Sequence, residues 1–150
     1  MKLVLSSDHA GIDLRKWLVA KLSASGHECQ EVGAPDESSF DYPDASDELV
    51  KVLASGKADY GILICGTGIG VSIRANRYPN MRCALCTTEY MAAMAREHND
   101  ANILALGSRV LGTEQALAIV HTFLNTDVSE VPRHQARVRK LSAPIERIQL

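Results

Sequence analysis

The stretch "ADYGILICGTGIGVSIRANR", Ala58 to Arg77, decides how the whole chain reads. Ile62, Leu63 and Ile64 make a short apolar run, the glycines after it make a turn, and the segment beyond has helical period through about Arg77. A strand that runs through a glycine turn into a helix is half of a strand–helix–strand unit. The rest of the chain repeats it. Upstream, "KLVLSS" reads as a strand, and Ile12, Leu14, Trp17, Leu18 and Leu22 form one helical stripe that stops at Gly26. "HECQEV" is a second strand, followed by "GAPDESSFDYPD", whose Gly, Pro, Asp and Ser predict a loop over a site. "DASDELVKVLASG" is a helix closed by Gly56. Downstream, "MRCALCT" and "NILALG" are strands, each followed by a helix: "TEYMAAMAREHND", capped by Thr88, and "GTEQALAIVHTFLN". "TDVSEVP" breaks the pattern before a last helix that begins "RHQARVRK". Five alternations predict an α/β domain over residues 1–150 with a parallel sheet between helical layers, because parallel strands need crossover connections.

Composition suits this reading. At 150 residues and 46% hydrophobic, the chain can bury a real core. No stretch approaches the ~18 to 20 uncharged apolar residues of a membrane helix, and charge comes too early in "MKLVLSSDHAG" for a secretory signal, so a cytosolic protein with no membrane partner is expected. A net charge of -2, both signs interspersed, gives no broad basic surface for nucleic acid. Any anion site must be local. The four cysteines, Cys29, Cys65, Cys83 and Cys86, are then free thiols rather than a disulfide framework. "CALC" has the spacing of a redox or zinc pair, but positions three apart on a strand point to opposite faces, so the two read as small buried hydrophobes and no metal is expected.

In open parallel sheets ligands bind beyond the carboxyl ends of the strands. Gly66, Gly68 and Gly70 read G-x-G-x-G, which is neither the dinucleotide fingerprint nor a P-loop, and Glu89 only imitates the spacing of a ribose-binding acid. What these glycines offer is unhindered amides at a helix start, favourable to an oxyanion and to a thiolate on Cys65. A purely structural Cys65 is the competing reading. Asp8 and His9 end the first strand, where they suit a sugar or phosphate, or where Asp8 is simply a helix cap beside an exposed His9. His98 and Asn99 end a helix, a place that suits a proton-carrying imidazole or a merely solvated one. Arg133 and Arg137 share a helical face beside His134 and could grip a phosphate or be a solvated basic face. His27 and His121 read as ordinary strand and helix residues.

Together "SSDHAG", "DYPD", "ILICGTGIGVSIRANR", "REHNDANILALGSRV" and "RHQARV" span nearly the whole chain, in order, and resemble the type B ribose-5-phosphate isomerases, in the family that also holds galactose-6-phosphate and allose-6-phosphate isomerases. The resemblance implies a Rossmann-like three-layer α/β/α sandwich with strand order 2-1-3-5-4. It further implies a cofactor-free aldose-ketose isomerase of the pentose phosphate pathway, interconverting ribose 5-phosphate and ribulose 5-phosphate, with active sites formed between two subunits of a homodimer or a dimer of dimers. By the match, Cys65 is the base between carbons 2 and 1. Thr67, Asn99 and the amides of Gly66, Gly68 and Gly70 hold the cis-enediolate, His98 assists ring opening, and Asp8 holds sugar hydroxyls. His9, Arg109, Arg133, His134 and Arg137 gather at the phosphate, and Tyr42 borders the sugar, where a hexose 6-phosphate would need more room. One branch of the family has a glutamate further along the loop in place of this cysteine. Here Gly70, Val71 and Ser72 follow Ile69, which leaves the role to Cys65. The last helix, with apolar Val138, Leu141 and Ile145, is expected to dock on a partner subunit.

Overall fold

The computed structural model describes residues 1–143, and these hold five strands and six α-helices. In order they are β1 (Lys2–Ser7), α1 (Ile12–Ala24) behind a 3-10 turn at His9–Gly11, β2 (Glu28–Gly33), α2 (Tyr42–Ala54), β3 (Tyr60–Cys65), α3 (Ile69–Ala75), β4 (Cys83–Leu85), α4 (Glu89–Asn99), β5 (Ile103–Gly107), α5 (Thr113–Asn125) and α6 (Pro132–Ser142). The strands form one parallel sheet in the order β2-β1-β3-β5-β4. That is the order the resemblance implies.

Side chains alternate along each strand, so the sheet feeds two separate cores. Leu3, Leu5, Ile62, Ile64, Leu104 and Leu106 pack with Leu18 and Leu22 of α1, Ala92 and Ala95 of α4, and Phe123 of α5. Val4, Leu63, Cys65, Ile103 and Ala105 pack on the other face with Leu49 and Val50 of α2 and Val71 and Ala75 of α3. At roughly 1.5–3 kcal/mol for each fully buried large aliphatic side chain, these two layers hold the sandwich together. The cysteine pair obeys the same alternation: Cys86 packs in the first core and Cys83 against the second. Burial pushes both thiols up, Cys86 to about 11, which fits inert core residues.

Several boundaries differ from the sequence reading; β4 is only Cys83–Leu85, not the whole of "MRCALCT". The helix α2 begins at Tyr42, where a loop through Asp44 was expected, because Pro43 sits at the start of the helix, where its missing N–H costs nothing. The helix α3 stops at Ala75, two residues short of Arg77, and so has only about two turns. The last helix, α6, lies against α4 of its own chain; Val138 is half-buried, and Leu141 is 59% exposed. Ile145 lies outside the described residues.

Candidate active site

Three strand ends are stitched together at the carboxyl edge of the sheet. The amide of Asp8 donates to Ile64 O at 3.2 Å, and the amides of Ser108 and Arg109 donate to Cys65 O and Gly66 O at 2.9 and 3.0 Å. Ser108 Oγ donates to Ala10 O at 2.7 Å and lies 3.2 Å from Cys65 O, so one hydroxyl spans the ends of β1, β3 and β5. Ser108 was missed in the sequence. Its only signal was its place just after β5.

Cys65 is buried at the tip of β3, on the α2/α3 face, and its Sγ accepts a hydrogen bond from Gly68 N at 3.1 Å. Gly68 is at φ +79°, and a Cβ there would lie 2.5 Å from Leu85 Cδ1 and 3.0 Å from the carbonyl carbon of Leu106. Only glycine gives both the left-handed turn and that approach. At Gly107 a Cβ would lie 2.8 Å from the backbone of Thr67, so β5 fixes the height of the loop from below. Thr67 itself is exposed, and its Oγ1 accepts from Ile69 N at 3.3 Å. One of the loop's amides is thus turned inward onto the sulfur, and the next is tied to a side chain of the loop itself. Because α3 is so short, any anion would be held by loop amides, not by a long helix's dipole.

The neighbours are those the sequence pointed to. The Arg109 side chain runs beside Gly66, and the Tyr42 ring covers Gly70 while staying 46% exposed. Asp8 is a cap: Oδ1 accepts from Ala10 N and Gly11 N at 2.9 and 3.2 Å, which closes the 3-10 turn, and the carboxylate keeps a second oxygen beyond that cap. His9 is exposed, with Nδ1 3.2 Å from both the amide and the carbonyl of Phe40, which ties it to the loop before α2. Arg15, on α1, carried no signal in the sequence; it is buried and holds the other end of that loop through Val32 O, Ala34 O, Ser7 Oγ and Glu31.

The remaining candidates are elsewhere. A helix following a parallel strand runs back along it, so α4 ends at the amino edge of the sheet. Arg82, just before β4, donates to Asn99 O at 3.1 Å and to Asp100 O at 2.8 Å, which places Asn99 at that edge. Cys65 pairs with Gly107 at the far end of β5, four residues or about 13 Å beyond Ile103, and on the opposite face from α4. Asp8, His9, Tyr42, Cys65, Gly66, Thr67, Gly68, Gly70 and Arg109 therefore form one group, and His98 and Asn99, with the α6 residues Arg133, His134 and Arg137, form another. Within one chain they do not meet. Arg133 and Arg137 are exposed. His134, expected beside them at a phosphate, is instead 6% exposed, with its ring against that of His98, centroids 4.1 Å apart at 76°. Burial holds the His134 imidazole below its ordinary range, His98, Arg133 and Arg137 push the same way, and Glu97 opposes them.

Among the described residues no helix is long and apolar enough to cross a membrane, and no three of His, Cys, Asp or Glu converge as a metal site.

The sequence matches the ribose/galactose isomerase family over residues 3–141. It is 41% identical over 142 residues to ribose-5-phosphate isomerase B of Escherichia coli, covering 95% of each chain. Among solved structures, that of Clostridium thermocellum ribose-5-phosphate isomerase B superposes with a TM-score of 0.91 at 46% identity, covering 95% of each chain. The Trypanosoma brucei type B enzyme gives 0.90 at 40% identity, covering 94% of this chain and 96% of the other. With this fold, this strand order and these matches, the chain belongs to the ribose/galactose isomerase family and is an isomerase of sugar phosphates.

Proposed function

We propose that the chain interconverts D-ribose 5-phosphate and D-ribulose 5-phosphate through a cis-enediolate, in sites that two copies build together. The observation that carries this is the division just described: a buried thiol under a glycine loop at one edge of the sheet, and an imidazole with two exposed arginines at the other. Each edge alone lacks half of an isomerase. A closed homo-oligomer brings unlike patches of identical chains together, so the His98 edge of one copy completes the Cys65 edge of its partner.

Ribose 5-phosphate enters as a furanose. Ring opening breaks the bond between C1 and the ring oxygen; that oxygen gains a proton, for which His98 is the donor, and the hydroxyl on C1 loses one. Cys65 then takes the proton from C2 of the aldehyde. The resulting oxyanion needs fixed N–H donors in a site sheltered from water, which is the part given to the loop amides, Thr67 and Asn99. Return of the proton to C1, with the O2 hydroxyl proton passing to O1, makes the ketose. C1 is reduced as C2 is oxidised within one molecule, so the balance closes without an external redox partner. Asp8 holds sugar hydroxyls, while His9, Arg109, Arg133 and Arg137 hold the phosphate, whose binding energy positions the reacting carbons. The cytosol, where thiols stay reduced, is the compartment that suits a free Cys65.

The test is a turnover assay over a panel of aldose phosphates. Ribose 5-phosphate is expected to give the highest kcat/KM. A higher value for allose 6-phosphate or galactose 6-phosphate would move the assignment to a hexose, where the room beside Tyr42 matters. Turnover of none, with binding retained, would make the chain a sugar-phosphate-binding module.

A further inference from the structure

His98 is poorly held by its own helix. It sits on the last turn of α4, its side chain is 41% exposed, and its nearest acid, Glu97, stands 3.6 Å from Nε2, beyond hydrogen-bond distance. An imidazole in that position can rotate. What limits it is a side chain from another element: the His134 ring, carried by α6 and packed edge to face on His98. Unlike its helix neighbours Arg133 and Arg137, His134 is turned inward, and its Nδ1 is buried with no hydrogen-bond partner among the described residues. An unpaired ring nitrogen is costly to bury, so the ring is not there to satisfy its own polar atoms.

We infer that His134 is a positioning residue: it works as a flat wall behind His98, holding that imidazole facing outward toward the sugar brought by the partner copy, and does not itself bind phosphate. This rests on the reading of His98 as the group that opens the ring. The groups that face His134 are His98 and Glu97 from α4 and Arg133 and Arg137 from its own helix. Kept neutral among them, His134 sets no second positive charge against His98 when His98 carries its proton. Fixing the ring beforehand removes an ordering cost from the ring-opening step and leaves the later proton transfer at Cys65 untouched.

The chemistry of the two sugars separates these steps. Ribulose 5-phosphate cannot close a furanose ring, because its C5 oxygen carries the phosphate, so solvent exchange of its C1 hydrogen reports the Cys65 step without ring opening. Turnover of ribose 5-phosphate requires both. His134→Ala should lower kcat for the aldose about tenfold with C1 exchange within about twofold of the wild type. His134→Phe, which keeps a flat ring and deletes both nitrogens, should retain at least about half of aldose kcat. Equal loss in the two variants would overturn the inference in favour of chemistry at a ring nitrogen. A parallel fall in exchange, or a rise in KM with kcat unchanged, would return His134 to the phosphate and also overturn it. Should His134→Ala fail to fold by circular dichroism, His134→Phe decides alone: retained kcat supports the wall, lost kcat refutes it. His98→Asn is the control for the underlying reading. If it spares aldose turnover, the ring-opening assignment fails; if it slows the aldose and His134→Ala does not, only the present inference fails.

Discussion

The two edges of the sheet are built on different terms. At the carboxyl edge, backbone does the work: three strand ends are joined by main-chain hydrogen bonds, glycines let the loop approach, and Cys65 is buried beneath it. At the amino edge, side chains do the work: Arg82 and Arg96 hold the end of α4 through Asp100 at 2.9 and 2.8 Å, and His98 leans on His134. A rigid cradle suits a reaction intermediate whose charge must meet donors already in place, whereas a side-chain cluster at a surface suits a group delivered to another chain. One edge is fixed by backbone and the other held by side chains, which is the division of labour that the proposed sharing of sites between copies requires.

The largest effect should come from the fixed edge. Cys65→Ala should reduce both aldose turnover and C1 exchange by about a thousandfold while leaving the fold and phosphate binding intact, the usual scale for loss of a general base. Near-normal turnover would show that the base lies elsewhere. His98→Asn should cut aldose turnover by about a hundredfold and spare C1 exchange. Co-expressing these two inactive variants is the sharpest test of the comparison. If each copy lends its His98 edge to its partner, half of randomly formed dimers carry one intact site of two, and about a quarter of wild-type activity returns. If the mixture stays as inactive as its parents, the sites are not shared. A smaller effect is expected at Gly107→Ala, where the new methyl meets the Thr67 backbone: about tenfold in kcat, with about 1–3 kcal/mol lost from denaturant unfolding.

The smallest effects are those of pH on stability. His134 is depressed in the folded state, so its contribution is fully present above its unfolded value near 6.5 and is lost as pH falls to the folded value. Asp47 is also depressed, chiefly by hydrogen bonds from Arg74 at 2.6 and 2.8 Å, so its contribution survives to about pH 4 and disappears as pH falls through its folded value. Urea midpoints measured from pH 8 to 3 should fall in two stages, and His134→Phe should shrink the upper one, to which His27, also held down by burial, contributes, while leaving the lower one unchanged.

The sheet and its order were legible because apolar runs and glycine turns are local signals, and the cluster around Cys65 followed once the strand ends were placed. Asp8 was ambiguous between cap and ligand because a carboxylate has two oxygens; one of them makes the cap, and capping leaves the other free to take a ligand. The start of α2 was hidden because Pro43 looks alike in a loop and at a helix start. Arg15 and Arg96 gave no sign of burial, since their partners, such as Ala34 O and Tyr60 Oη, are distant in sequence. The separation of His98 from Cys65 was implicit in the strand–helix alternation, because a crossover helix must end at the edge opposite to where it began.

One small contact limits how copies can associate. The carboxamide of Asn76 takes both outward groups of Cys83, donating to its carbonyl at 2.9 Å and accepting from its amide at 2.8 Å. Leu85 is then the only other outward-facing residue of the edge strand β4, and β2, the opposite edge, exposes Glu28, Gln30 and Glu31. Among the described residues one margin is thus partly capped by a carboxamide and the other is lined with charge, and both features disfavour pairing with another strand.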